Sequence, residues 1–405
     1  MRNSCLARRG VVTWGLVAVA FGLVAIATLV PNSHGTGGGG PPFWCLACGD
    51  YAVADAVANV ALFVPLGWAL GRARVRPFVG LAVLVTTTLT VEWLQYTLVP
   101  GRDASLSDIL ANSVGGVTGM ALPGLQRKIA ESGGRALRAA ILYGVLLVAG
   151  LGVGEGTQAV PLPRTLRWTE GSTRGYVPFT GSLRALQVDG APVLMREWHN
   201  IPPRDAVEVT VDLLSGRPDA GLAQLIVAWM PSGDGWIWFE QQERDLRVHI
   251  ASASDRSRLR GHSTWLSAIM PAIAGEPVTL RLVVRPFAYR IAVETKAGNL
   301  VRHEEVTPGH GWRLFTPFEH GGEPWASLLT GGWMAVLLGP LAYLTSVRSR
   351  ATAVVAAVGA GVSLVLLPIV SGCAWLPLPG WCGAMSGFLV GVVSSSSSIS
   401  AGRPR

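Results

Sequence analysis

The chain has 405 residues, of which 50% are apolar and only 14% are charged, against about 25% charged in an ordinary soluble domain. Together with a mean hydropathy of +0.40, this composition excludes a soluble enzyme, a disordered tail and a small disulfide scaffold. It predicts a multi-pass membrane protein with one additional folded domain.

The net charge of +8 is unevenly distributed along the chain. Residues 155–322 hold 18 basic and 18 acidic residues, so the whole positive excess belongs to the apolar remainder. A basic excess confined to apolar regions is a signal of membrane topology. No nucleic-acid partner is expected.

Eight segments have the length of membrane spans, which need about 20 residues each. The first, 11–30, follows Arg8 and Arg9 and exceeds the apolar core of a signal peptide, so a retained helix is favoured over a cleaved leader. The others lie at about 52–70, 77–99, 106–122, 137–153, 325–346, 351–370 and 381–396. We therefore expect an α-helical membrane bundle, with five spans in 1–154 and three in 323–405.

The positions of Lys and Arg orient these spans. With a cytoplasmic N-terminus, 14 of the 15 basic residues of the membrane part lie on the cytoplasmic side, and only Arg102 lies outside. The positive-inside rule therefore predicts that both termini lie in the cytoplasm. The neutral interval 155–322 is then extracytoplasmic.

That interval alternates apolar and polar residues with a period of two. The alternating segments are 206–214, 223–230, 236–241, 245–251, 278–285 and 288–295. Short strands with no helix between them predict an inserted all-β sandwich of jelly-roll-like type. Within it, Gly275–Val306 resembles the pair of long strands in concanavalin A-like and laminin G-like sandwiches.

Aromatic residues of the predicted sandwich allow two interpretations. Trp229, Trp236, Trp238 and Phe239 would stack on sugar rings if they face solvent, with an extracytoplasmic polysaccharide as partner. Alternation directs some of them inward, and burial in the core is favoured. The histidines have no metal-ligand spacing and the acidic residues form no glycosidase-like pair, so neither metal nor cofactor is expected.

Polar residues within membrane spans are costly and usually face a partner or water. Three neighbouring spans carry such residues in pairs one helical turn apart: Asp55 and Asn59, Glu92 and Gln95, and Asp108 and Asn112. At a rise of about 1.5 Å per residue, all six reach one level in the outer leaflet. Arg102 lies on the short loop above them. The alternative is that the pairs only join helices through hydrogen bonds.

The same residues carry a family resemblance. The motifs Asn59–Gly67 (NVALFVPLG), Glu92–Gln95 (EWLQ), Pro100–Arg102 (PGR) and Ser107–Gly116 (SDILANSVGG) occur in an order similar to the VanZ-like membrane family, over about residues 10–125. That family is named after a protein linked to resistance to the lipoglycopeptide teicoplanin, which implies a role in the cell envelope. The residues that match motif positions are Asn59, Glu92, Gln95, Arg102, Asp108 and Asn112. The resemblance carries over no catalytic role.

Two functions of different classes fit these residues. The favoured one is a binding module whose outer-leaflet pocket holds the head of an amphiphile, either a membrane lipid or a lipid-linked glycan. The alternative is an intramembrane enzyme acting on a lipid-linked sugar or phosphate, with Glu92 or Asp108 as general acid/base and Arg102 clamping an anion. A transporter and a structural partner of an envelope complex rank below both.

Four cysteines lie in or beside the predicted outer loops: Cys45, Cys48, Cys373 and Cys382. On an oxidising side they are disulfide candidates with three connectivities, either local or between loops. A redox CxxC centre and a zinc site are disfavoured, because the expected sequence context of each is missing.

The C-terminal spans contain a possible second copy of the first bundle. Pro377–Gly391 has the loop and glycine-rich helix of residues 100–119, without the carboxylates. Degradation of a duplicated segment and coincidence among glycine-rich helices both explain this likeness.

Overall fold

The computed structural model describes residues 2–29, 43–47, 49–99, 104–171, 176–316 and 323–401. The chain divides into two compact units. The first contains Met1–Ile141 with Leu344–Ser349 and Ser394–Arg405, and the second contains Leu142–Tyr343 with Arg350–Val393.

Long helices form at all the predicted spans. In chain order they are α1 (Arg2–Leu29), α2 (Ala52–Arg72), α3 (Pro77–Leu98), α4 (Leu106–Ala130), α5 (Gly133–Gln158), α7 (Glu323–Arg348), α8 (Arg350–Ser371) and α9 (Leu378–Ala401), with the short α6 (Ala253–Arg256) in the domain between α5 and α7. Among the described residues, seven helices are long and apolar enough to cross a membrane. The prediction of eight apolar spans is corrected at α4, whose 25 residues suffice in length but whose polar and glycine residues lower its hydropathy.

Glycines bring α2 and α4 into backbone contact. A methyl group on Gly115 would collide with the carbonyl oxygen of Val60, and one on Gly119 with that of Val64. Small residues four apart allow such an approach between transmembrane helices. The contact fixes the polar pair of α4 relative to that of α2.

Helices α7 and α9 pack in the same way within the second unit. A methyl group on Gly387 would collide with the carbonyl oxygen of Ala335, and one on Gly391 with that of Gly339. Val60 and Val64 of α2 thus correspond to Ala335 and Gly339 of α7. In this register the prolines inside the two helices, Pro65 and Pro340, also correspond.

The domain between α5 and α7 is a β-sandwich, as predicted. Its strands are β1 (Thr165–Glu170), β2 (Ser182–Val188), β3 (Ala191–Pro192), β4 (Trp198–Asn200), β5 (Val207–Leu214), β6 (Ala223–Trp229), β7 (Gly235–Gln242), β8 (Asp245–Ile250), β9 (His262–Leu266), β10 (Pro277–Arg285), β11 (Ala288–Thr295) and β12 (Gly298–Glu305). They form two antiparallel sheets of six strands. Sheet A has the order β4-β1-β6-β7-β8-β9, and sheet B has the order β12-β11-β10-β5-β2-β3.

The sandwich core follows the period-two pattern of its strands. In β5, Val207, Val209 and Val211 are buried while the residues between them are partly exposed. Trp168 and Phe239 of sheet A are fully buried against this layer. Two sheets whose inner faces interdigitate in this way form one continuous apolar core.

The loops at one end of the sandwich contact the helices of the second unit. The amide of Val160, just after α5, donates to the carbonyl of Pro286 at 2.7 Å, and the amide of Ala374, after α8, donates to that of Val306 at 2.9 Å. A 3₁₀ helix, Pro308–Leu314, follows β12, and its Trp312 donates through Nε1 to Thr330 Oγ1 of α7 at 3.1 Å.

Candidate functional site

The first unit gathers polar side chains from α2, α3 and the start of α4. Asn59 Nδ2 donates to Asp108 Oδ1 at 2.6 Å. The backbone amide of Ser105 donates to Glu92 Oε2 at 3.0 Å, and the Glu92 and Asp108 carboxylates are close enough to interact electrostatically. We call Asn59, Glu92, Ser105 and Asp108 the carboxylate cluster.

Ser105 joins the cluster because it caps α4. Its hydroxyl accepts from the backbone amide of Asp108 at 3.1 Å, while its own amide binds Glu92. The sequence analysis missed this residue. The signal was present, since a serine three residues before an acidic residue, ahead of an apolar run, is typical of a helix N-cap.

The remaining predicted residues of α3 and α4 contact other partners. Asn112 Nδ2 donates to Thr88 Oγ1 of α3 at 2.9 Å. Gln95 Nε2 donates to the carbonyl of Thr28 in α1 at 2.9 Å. Thr28 and Thr88 are buried, and Thr28 was not predicted. Five of the six residues thus divide into the carboxylate cluster, which holds Asn59, Glu92 and Asp108, and two hydrogen bonds between helices, made by Asn112 and Gln95.

The site is rich in buried acceptors with unused capacity. Glu92 is 4% exposed, and the Ser105 amide is its hydrogen-bond donor among the described residues. Asn112 is 1% exposed, and its Oδ1 has no hydrogen-bond partner within the part of the chain that the structure describes. Because a carboxylate has about four lone-pair positions, the arrangement suits a ligand that supplies hydroxyl, amide or ammonium donors.

Asp55 and Arg102 are the two remaining predicted residues. Asp55 is exposed in the first turn of α2, one turn before Asn59. Arg102 lies outside the described residues, so its predicted place above the site remains a prediction.

The cysteines are only partly as expected. Cys45 is disulfide-bonded, and Cys48 lies outside the described residues. Cys373 and Cys382 are free thiols, which corrects the prediction that these two take part in disulfides. Burial raises the pKa of the Cys373 thiol to about 11, so this cysteine is not activated as a thiolate.

The aromatic residues named in the sandwich divide between core and surface. Trp236 and Phe239 are fully buried, as the favoured interpretation expected. Trp229 and Trp238 are half-buried, with part of each ring open to solvent. Among the described residues, no group of three or more His, Cys, Asp or Glu side chains is arranged to hold a metal.

Comparison with known families agrees with the resemblance of the N-terminal motifs. Residues 21–126 match the family model described as VanZ/LLP1, a range that contains all of the carboxylate cluster. The VanZ-like character of this region is therefore confirmed. No curated protein and no solved structure matches the chain.

Proposed function

We propose that the carboxylate cluster binds the polar head of an amphiphile, a lipid-linked glycan or a lipoglycopeptide, in the outer leaflet of a bacterial inner membrane. The observation that carries the proposal is the burial of Glu92, a carboxylate that accepts from a single described donor beside a second carboxylate. A buried charge destabilises a membrane protein unless it pairs with another group or binds a ligand. Sugar hydroxyls and amides are donors that suit the buried acceptors of Glu92 and Asn112.

The proposed orientation follows from the charge distribution. With both termini in the cytoplasm, the loop before α4 and the sandwich face the outside, as the positive-inside rule requires. This arrangement needs α4 to cross the membrane as an eighth helix. A membrane-impermeant thiol reagent should label Ser232→Cys, in an exposed turn of the sandwich, in intact spheroplasts, when the exposed free thiol Cys382 is replaced by serine in the same chain. Labelling only after lysis would contradict the orientation.

A second candidate function is favoured by the proximity of Glu92 to Asp108. Two neighbouring carboxylates are the side chains that a general acid and a general base require. The substrate would be a lipid-linked sugar or phosphate.

Mass spectrometry of the purified protein tests the binding proposal. We expect the full-length chain to retain a glycolipid, and we expect Glu92→Gln and Asp108→Asn to lose it. Glu131→Gln is the matched control, because Glu131 is an exposed carboxylate between α4 and α5 that pairs with Arg135. Retention by all variants, or by none including the natural chain, would contradict the proposal.

Turnover distinguishes the two functions. If Glu92→Gln retains the lipid but abolishes formation of a product that the natural chain makes, the enzyme hypothesis replaces the binding module. If the lipid is lost and the natural chain forms no product, the binding module stands.

A further inference from the structure

The outer face of sheet A carries four tryptophans in a diagonal band. Trp198 of β4 pairs with Arg167 of β1, which pairs in turn with Trp229 of β6. Trp238 lies on β7, and Trp265 lies at the sheet edge on β9. We call this surface the tryptophan face.

These side chains point away from the core by the alternation of their strands. In β1 the flanking residues Leu166 and Trp168 are fully buried in the sandwich core, so Arg167 lies on the opposite side. Trp198 is 46% exposed, and Trp229, Trp238 and Trp265 are half-buried.

Local contacts hold the rings in place before any ligand arrives. Trp229 Nε1 donates to Thr169 Oγ1 at 2.8 Å. The ring of Trp238 lies directly over Gly235, where any side chain would collide with it, and it also contacts the His249 ring at 4.8 Å between centroids. Rings fixed in this way lose little conformational entropy on binding.

Among the described residues of the tryptophan face, the side chains of Arg247 and His249 each lie beside a carboxylate, whereas that of Arg167 does not. Arg247 pairs with Glu240 at 3.2 Å, and His249 pairs with Asp255 at 3.2 Å. Arg167 has no carboxylate partner among the described residues. Its guanidinium lies over the Trp198 ring at 5.0 Å, and its buried Nε has no hydrogen-bond partner in the same part of the chain.

We propose that the tryptophan face binds an acidic oligosaccharide, with sugar rings on Trp198 and Trp229 and a carboxylate on Arg167. Strands are about 4.8 Å apart, so tryptophans two strands apart suit alternate rings of an extended β-linked chain. Aromatic faces pack on the C–H groups of sugars, and a guanidinium binds a carboxylate with paired hydrogen bonds. Arg167 between the tryptophans therefore selects an acidic sugar over a neutral one.

The tryptophan face and the carboxylate cluster belong to different units. The sandwich contacts the helices of its unit at one end, at Val160, Pro286 and Val306 and where His262, the first residue of β9, meets Gln158 of α5. The central strands of the tryptophan face take no part in those contacts. A soluble saccharide without a lipid therefore suffices as the probe, and Glu92→Gln should leave its binding unchanged.

Isothermal titration of the full-length protein in detergent tests the proposal. The acidic probe is a hyaluronan hexasaccharide, and the neutral probe is chitohexaose. We expect saturable binding of the acidic probe and at least about tenfold weaker binding of the neutral one, since hydrogen bonds to charged groups are worth about 1.5–3 kcal/mol. Arg167→Gln should remove this preference, and Trp198→Ala should weaken both probes about three- to tenfold.

Two further variants separate recognition from folding. Trp198→Phe keeps an aromatic surface and should restore most of the affinity lost in Trp198→Ala. Arg281→Gln is the matched control on the outer face of sheet B, where Arg281 pairs with Glu208, and it should bind as the natural chain does. Absence of saturable binding, equal binding of both probes, or binding that survives both Arg167→Gln and Trp198→Ala would overturn the proposal.

Discussion

The two helix triples, α2–α4 and α7–α9, share a close glycine contact between helices but differ in the polarity of the residues beside it. Gly115 and Gly119 approach the backbone of α2 as Gly387 and Gly391 approach that of α7. In this register Asn59 corresponds to Met334, and Asn112 corresponds to Ala384. Met334 and Ala384 are buried in an apolar cluster, whereas their counterparts take part in hydrogen bonds.

This difference distinguishes the residues that helix packing needs from the polar residues of the candidate site. The α7–α9 triple shows that the glycine contact forms without any buried amide or carboxylate at the corresponding positions. The polar residues of α2–α4 are therefore not needed to hold that contact together. Under the proposed function, a bound ligand accounts for the cost of these residues in a membrane protein.

The largest expected effect comes from breaking the contact that the triples share. Gly119→Val and Gly391→Val each place a side chain against a backbone carbonyl, and we expect a loss of about 3 kcal/mol or more from either. Gly124→Val is the matched control within α4, because nothing lies within 4 Å of its added methyl group. Thermal unfolding in detergent measures the effect. Equal melting temperatures for all three variants would show that the contact is not close.

Moving a polar group into the apolar triple should cost somewhat less. Ala384→Asn places an amide at the position that corresponds to Asn112, but within an apolar cluster that includes Met334. An unsatisfied buried polar group costs about 1–3 kcal/mol, so the melting temperature should fall. An unchanged melting temperature would mean that α7–α9 tolerates the amide. The difference in polarity between the triples would then carry no conclusion about function.

The pair of Asn59 and Asp108 should show a smaller but measurable coupling. Interhelical hydrogen bonds in membrane proteins contribute about 0.6–2 kcal/mol. We expect a double-mutant cycle of Asn59→Ala and Asp108→Ala to give a coupling free energy in this range. Purely additive losses would indicate that the 2.6 Å contact does not stabilise the first unit.

The smallest expected effect is a pH dependence of the free energy of unfolding near neutral pH. It arises at His310, in the 3₁₀ helix between the sandwich and α7. Burial, aided by the charge of Arg313, lowers the pKa of His310 to about 3. Below about pH 6.5 the unfolded chain takes up a proton that the folded one refuses, so stability falls with falling pH. Between pH 7 and pH 6 the expected loss is about 0.7 kcal/mol.

Denaturant titrations at several pH values check this dependence. His310→Gln should flatten the slope over the same interval, because the variant has no group there to protonate. A slope that persists unchanged in His310→Gln would assign the pH dependence to another group, such as His262, whose pKa burial also lowers.

Hydrophobic pattern predicted most of the fold. The eight helices and six of the twelve strands were found because burial on one face imposes a period on the sequence. The strands β3 and β4 were missed because they hold only two and three residues, too few to show alternation. The sequence analysis also overestimated the hydropathy of α4, because the glycines of this helix serve close packing rather than contact with lipid.

The candidate site was predicted in its residue types but not in its pairings. Helical spacing placed Asn59, Glu92 and Asp108 at one level, and hydrogen bonds join them there. Gln95 contacts a backbone carbonyl of α1 because of the rotation of α3 about its axis. No local sequence pattern specifies that rotation. Ser105 binds Glu92 through its backbone amide and accepts from the Asp108 amide through its hydroxyl, and a backbone donor leaves no trace in residue identity.

The twelve strands of the sandwich come from one uninterrupted stretch of chain, from Thr165 to Glu305. During synthesis every strand partner is thus available before the ribosome reaches α7. Domains generally fold as units while translation continues, so the sandwich can complete its sheets while the last three helices are still unmade. Trp312 then meets Thr330 only when α7 arrives, which makes the docking of that helix a late step in assembly.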